Sequence, residues 1–166
     1  MLTRPTVLVL GAGASQPFGF PAGATLASDV VVHLRPGYGL FEALNEHSRI
    51  SEQTIMNFRH RFQTDGNYSI DAFLEGKDEP TVQIGKTAIA YELIRYEDHE
   101  RLFSFQDNWL REMCSQLRTS VDKFAKNKLS FITYNYDRSV EHFLFSALNS
   151  QSQNEMKARM FYSTFR

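Results

Sequence analysis

Four consecutive apolar residues, Val7, Leu8, Val9 and Leu10, end at Gly11. A continuous apolar run closed by glycine predicts a central strand, buried on both faces of a parallel sheet. Residues 24–34 then read as a helix that stops at Arg35-Pro36-Gly37, because proline restricts the residue before it and glycine ends a last turn. From about residue 40 to 124 the apolar spacing is helical. Ser51 is placed to cap a segment with Ile55, Phe58 and Phe62 on one face, and Ser69 to cap one carrying Ile70, Phe73 and Leu74. Residues 85–96 make a third segment. In residues 108–124, Leu110, Met113, Cys114, Leu117, Val121 and Phe124 follow the spacing of one apolar stripe. Residues 129–133 (LSFIT) restore strand character, and 138–148 read as a helix burying Val140, Phe143, Leu144 and Leu148. The polar run 149–157 reads as loop, and Met160-Phe161-Tyr162 as the beginning of another strand.

A strand, turn and helix therefore occur twice, around a helical module of roughly residues 40–125. At 166 residues and 42% hydrophobic, the chain has material for one domain with a real core, spanning 1–166. A formal net charge of -1 supplies no global positive field, so a nucleic-acid partner is not expected. The single cysteine, Cys114, excludes an internal disulfide and any zinc site that needs two or four cysteines of this chain. The first apolar stretch is too short for a signal segment and no run approaches a membrane span, so a cytoplasmic location is expected.

In an α/β sheet, ligands sit beyond the carboxyl ends of the strands. Two loops lie there. The first, GAGAS at 11–15, contains Gly11 and Gly13, which permit close approach of backbone to a phosphate, and Ser15, which adds a hydroxyl. A helix following such a turn would aim N–H groups at the same phosphate. A plainer reading is a glycine turn required only for packing of strand against helix. The dehydrogenase fingerprint G-x-G-x-x-G fails at Gln16, and no second strand ending in Asp or Glu follows roughly 20 residues on. Gly85-Lys86-Thr87 is not a P-loop, since Pro80 stands where the first glycine belongs. The second loop is Thr133-Tyr134-Asn135-Tyr136-Asp137, at the end of the second strand. Asp137 is also placed to cap the next helix, and Asn135 to serve a turn.

GAGAS, followed by Gly19 and Pro21, and then TYNYD at a distant strand end, resembles the sirtuin superfamily, and more narrowly the prokaryotic sirtuin-like NADase domains, many of which serve in anti-phage defence. The resemblance covers both ends of the chain, and the middle helices match only in character. It implies a Rossmann-like parallel sheet with helices on both faces and a helical insertion, binding NAD without a metal and hydrolysing it to nicotinamide and ADP-ribose. By the same resemblance Asn135 and Asp137 are the catalytic residues, Asn135 contacting the nicotinamide ribose and ordering water, Asp137 holding the carboxamide side. Gly11, Ala12, Gly13 and Ser15 would line the phosphates, with Thr133 beside them, while Gly19, Phe20 and Pro21 belong to a loop over the cofactor. Expected partners are NAD and either further copies of the chain or a sensor domain or protein; no membrane or nucleic-acid partner is expected.

An asparagine suits breakage of the nicotinamide–ribose bond. Positive charge builds on the sugar while a neutral group leaves, so the site needs orientation and dipoles more than a strong acid. The amide offers both donor and acceptor. The chain departs from deacylating sirtuins by lacking four cysteines and by carrying Ala22-Gly23-Ala24 after Pro21, which disfavours deacylation. It also lacks the family's histidine on a later strand and loop. Its histidines are His33, His47, His60, His99 and His142, of which His142 stands nearest the second loop in sequence. The expectation is therefore an N-terminal fragment of a longer NADase, with a noncatalytic NAD or ADP-ribose sensor as the alternative. Trp109, Phe103 and Phe105 read as core or oligomer contacts, Arg59-His60-Arg61 as a solvated helix face, and Asn67-Tyr68-Ser69 as an unused glycosylation sequon.

Overall fold

A computed structural model describes residues 1–66, 69–104, 108–117 and 121–151. In chain order the elements are β1 (Thr6–Leu10), α1 (Gly23–His33), α2 (Gly39–Glu42), α3 (Glu52–Thr64), α4 (Ile70–Leu74), α5 (Glu79–Ile94), α6 (His99–Ser104), α7 (Trp109–Gln116), α8 (Val121–Phe124), β2 (Leu129–Thr133) and α9 (Ser139–Gln151). Short 3-10 turns occupy Ala12–Ala14 and Gln16–Phe18, and a π-helical stretch, Ala43–His47, continues α2. The described chain is mostly helical, with one two-stranded parallel sheet. It divides into two compact units, one of residues 1–19 and 97–166, the other of residues 20–96.

In the first unit β1 and β2 pair in parallel, Thr6 opposite Leu129 and Leu10 opposite Thr133. Parallel neighbours in register bring both carboxyl ends to the same edge, which is how two loops 120 residues apart in sequence come to share a site. The continuous apolar run of β1 does not make it a strand buried on both faces. Val7 and Val9 are 55% and 63% exposed and Ile132 of β2 is 49% exposed. Strand geometry sends alternate side chains to opposite faces, and among the described residues only the face carrying Leu8 and Leu10 is covered. The helix read over 108–124 is also not continuous. α7 ends at Gln116 with Leu117 as its buried C-cap, and α8 resumes at Val121. α9 runs on through Asn149, Ser150 and Gln151, which the sequence assigned to a loop. Its buried face holds Phe143, Leu144 and Leu148. The sequence-predicted strand at Met160-Phe161-Tyr162, Phe105, and the Asn67-Tyr68 half of the sequon lie outside the described residues.

The second unit is helical. Ser51 caps α3 by accepting the Thr54 N–H at 3.2 Å, and Asp78 caps α5 through Thr81 N–H, also at 3.2 Å. The same hydrogen bonds, from the Thr81 side chain and backbone, hold the Asp78 carboxyl below its ordinary range. The predicted face of Ile55, Phe58 and Phe62 is buried, with Phe73 of α4 closing an aromatic cluster: its ring lies 5.4 Å from Phe58, edge-on, and 5.0 Å from Phe62. Arg59 is not merely solvated, for its Nε donates to the Val31 carbonyl at 2.8 Å. Between α1 and α5 the fully buried Glu92 carboxylate takes the His33 Nδ1 contact on one oxygen, while Arg95 Nη2 lies 3.0 Å from the other in an ion pair. A buried carboxylate requires such partners, and here they bridge two helices.

Candidate functional site

The site is built at the carboxyl ends of β1 and β2. Tyr134 N–H donates to the Leu10 carbonyl at 2.9 Å, so the two chains stay paired for one residue beyond Thr133 before they part. After Leu10 the chain does not enter a helix directly. Gly11 is extended, Ala14 N–H returns to the Gly11 carbonyl at 2.8 Å and Ser15 N–H to Ala12 at 3.1 Å, making a tight 3-10 turn. Pro17 and Gly19 then start and end a second such turn, and α1 begins only at Gly23. Two short turns thus separate the glycines from α1 along the chain, in keeping with a helix read from residue 24, because proline and a left-handed glycine interrupt helical propagation.

Neither glycine of the first turn is there for packing. Among the described residues, a Cβ built on Gly11 meets nothing within 4 Å, and one on Gly13 meets only the Gln16 side chain at 3.8 Å. Their backbones do not require the left-handed region either. Gly19 is the opposite case: its φ is +89°, and a Cβ would lie 2.8 Å from the Arg101 guanidinium carbon. Space is thus left open at Gly11 and Gly13 and filled at Gly19.

Ser15, only 3% exposed, faces the second loop, and Asn135 Nδ2 donates to its Oγ at 2.9 Å. The asparagine backbone is fixed too, its N–H bonded to Thr133 Oγ1 at 3.0 Å. The other amide atom, Asn135 Oδ1, is buried and has no hydrogen-bond partner among the described residues. Buried acceptors are nearly always satisfied, so this one calls for a donor. Asp137 accepts the Ser139 N–H at 3.0 Å and so caps the start of α9. A cavity of about 570 Å³ lies beside β2 and α9. Thr133, Asn135, Asp137, Arg138 and Glu141 supply part of its polar lining, Leu10, Phe131 and Leu144 part of its apolar lining. Gly11, Ala12, Gly13 and Ser15 are not among its lining residues.

The structure brings together Ser15, Thr133, Asn135 and Asp137, with the Gly11–Gly13 turn next to Ser15 in the chain. Phe20 and Pro21 belong to the second unit, where Phe20 is buried with its ring 5.8 Å from that of Tyr96. His142 does not address this site: its Nε2 lies 2.9 Å from His99 Nδ1. Partial burial and the neighbouring His99 both hold the His142 pKa below the usual histidine value. Burial pushes the Cys114 thiol up to about 11, which disfavours its thiolate at neutral pH. Among the described residues no three His, Cys, Asp or Glu side chains converge as a metal site would need. Sequence reasoning missed one contributor. Trp109, read as a core or oligomer contact, donates its indole N–H to the Ala14 carbonyl at 2.8 Å; the signal available was that a part-buried indole N–H usually finds an acceptor.

No family model, curated protein or solved structure matches the chain. Among the described residues no helix is long and apolar enough to cross a membrane.

Proposed function

We propose that this chain is an NAD-binding domain of sirtuin-like character that hydrolyses NAD to nicotinamide and ADP-ribose, with the β1–β2 pair as part of a Rossmann-like parallel sheet flanked by helices. The observation that carries the reading is Asn135: its Nδ2 is tied to Ser15 while its Oδ1 is buried and unsatisfied among the described residues. A ribose hydroxyl, or a water beside it, is the donor that such an acceptor lacks. The open space at Gly11 and Gly13 fits a pyrophosphate against backbone.

In this reading Asn135 orients the sugar and water while Thr133 fixes the loop that carries it, and both act by position and dipole rather than by proton transfer. Asp137 keeps one carboxylate oxygen on Ser139 N–H and, by the resemblance, holds the carboxamide side of the nicotinamide. An effector role in anti-phage defence follows the same resemblance. A second reading, a noncatalytic sensor of NAD or ADP-ribose, is favoured by one fact: the first unit's two histidines, His99 and His142, are bonded to each other.

Chromatography of NAD incubated with the protein separates the two. Nicotinamide formed by the unaltered chain and abolished in Asn135→Ala supports hydrolysis. Intact NAD, together with a rise in melting temperature on adding ADP-ribose, selects the sensor. Intact NAD with no thermal shift from either nucleotide refutes both.

A further inference from the structure

Trp109 is the chain's single tryptophan and the first residue of α7. Its place is set by Asn108, which is 3% exposed. Asn108 Oδ1 accepts the Leu110 N–H at 2.9 Å, capping α7, and its Nδ2 donates to the Leu102 carbonyl at 3.0 Å, anchoring that cap to α6. The indole is thereby held at the glycine turn, where its N–H meets the Ala14 carbonyl at 2.8 Å.

Ala14 is the last residue of that turn. Its carbonyl shares one rigid peptide plane with the N–H and Cα of Ser15, so whatever fixes the carbonyl restrains the backbone from which the Ser15 side chain projects. Ser15 in turn holds Asn135. A continuous series therefore runs from Asn108 through Trp109, the Ala14–Ser15 peptide and the Ser15 hydroxyl to the asparagine amide. Gly11 and Gly13 give the turn no Cβ contacts of its own, so an external tether has more to restrain there than in a packed turn.

We infer that Trp109 is a positioning residue: its indole N–H holds the 11–15 turn and, through Ser15, the Asn135 amide in the arrangement that receives the pyrophosphate and ribose of an ADP-ribose-containing ligand. The role rests on the nucleotide reading above. Trp109→Phe retains the aromatic body and deletes the donor, which separates tethering from packing.

Two measurements on Trp109→Phe, made beside the unaltered protein, test it. Amide hydrogen exchange over residues 11–15 is expected to accelerate at least several-fold, with exchange in residues 20–96 unchanged. Calorimetric titration with ADP-ribose is expected to show about five- to tenfold weaker binding, the scale set by one hydrogen bond. Unchanged exchange overturns the tether. Faster exchange with unchanged affinity overturns the positioning role. Failure of the unaltered protein to bind ADP-ribose overturns the nucleotide reading, and the positioning role with it, while the exchange result still reports on the tether. If Trp109→Phe does not fold, the lone indole N–H resonance of the unaltered protein reads the same bond: slow solvent exchange and a shift on adding ADP-ribose support the role, and fast exchange or no shift overturns it.

Discussion

Ser15→Ala removes one oxygen from a residue that is 3% exposed and whose Oγ accepts Asn135 Nδ2 at 2.9 Å. The loss is larger than that of one exposed hydrogen bond. With the hydroxyl gone, the asparagine side chain loses the partner of its Nδ2, while Oδ1 already lacks one among the described residues. Leaving a buried polar group unpaired costs about 1–3 kcal/mol. For a chain of this size each kcal/mol lowers the melting temperature by roughly 2–4 °C. Asn135→Ala removes the donor and the unsatisfied acceptor together, so its cost is expected to be smaller than that of Ser15→Ala. The double variant should then be less destabilised than the sum of the singles, with a coupling on the order of 1–2 kcal/mol. Urea unfolding followed by tryptophan fluorescence suits the measurement, because Trp109 lies in the unit that holds both loops. Additivity of the two single variants within about 0.3 kcal/mol would refute the idea that this bond joins the loops.

Partial burial, and His99 beside it, hold the His142 pKa down, so the contribution of His142 to stability is expected to be acid-sensitive. The folded-state pKa of His142 is below its unfolded value, so its contribution is complete above the ordinary histidine pKa and diminishes as pH falls through that value toward the folded one; His142→Gln should flatten the decline of melting temperature between neutral pH and pH 5. Glycine replacements should sort by role. Gly19→Ala, at φ +89° and against Arg101, is expected to cost at least about 1–2 kcal/mol, whereas Gly11→Ala should leave stability within about 0.5 kcal/mol and instead weaken ADP-ribose binding in calorimetry. Phe73→Ala empties the centre of the Phe58, Phe62 and Phe73 cluster and should destabilise residues 20–96 by about 3–5 kcal/mol, read by hydrogen exchange of α3 and α5.

Local chemistry was legible in the sequence wherever one residue and its near neighbours decide the outcome. Ser51 capping α3, the face of Ile55, Phe58 and Phe62, the bounds of β2, and Asp137 at the start of α9 all follow from spacing and capping preference. The two loops were also recognisable as candidates, since glycine, serine and asparagine at strand ends are visible without coordinates. What the sequence could not decide is anything that depends on which surfaces meet. The apolar run of β1 is the same string whether one face or two are covered, and the structure leaves Val7 and Val9 open among the described residues. The need for glycine at 11 and 13 as against 19 depends on what a Cβ would touch, and only Gly19 has Arg101 against it. Parallel register then places Leu10 beside Thr133, which brings the two loops to one edge, where Asn135 Nδ2 reaches Ser15 and Oδ1 is left without a partner among the described residues. Residue types specified which chemistry was available. Strand pairing brought the two loops to one edge, since a hydrogen bond across 120 residues has no local signal.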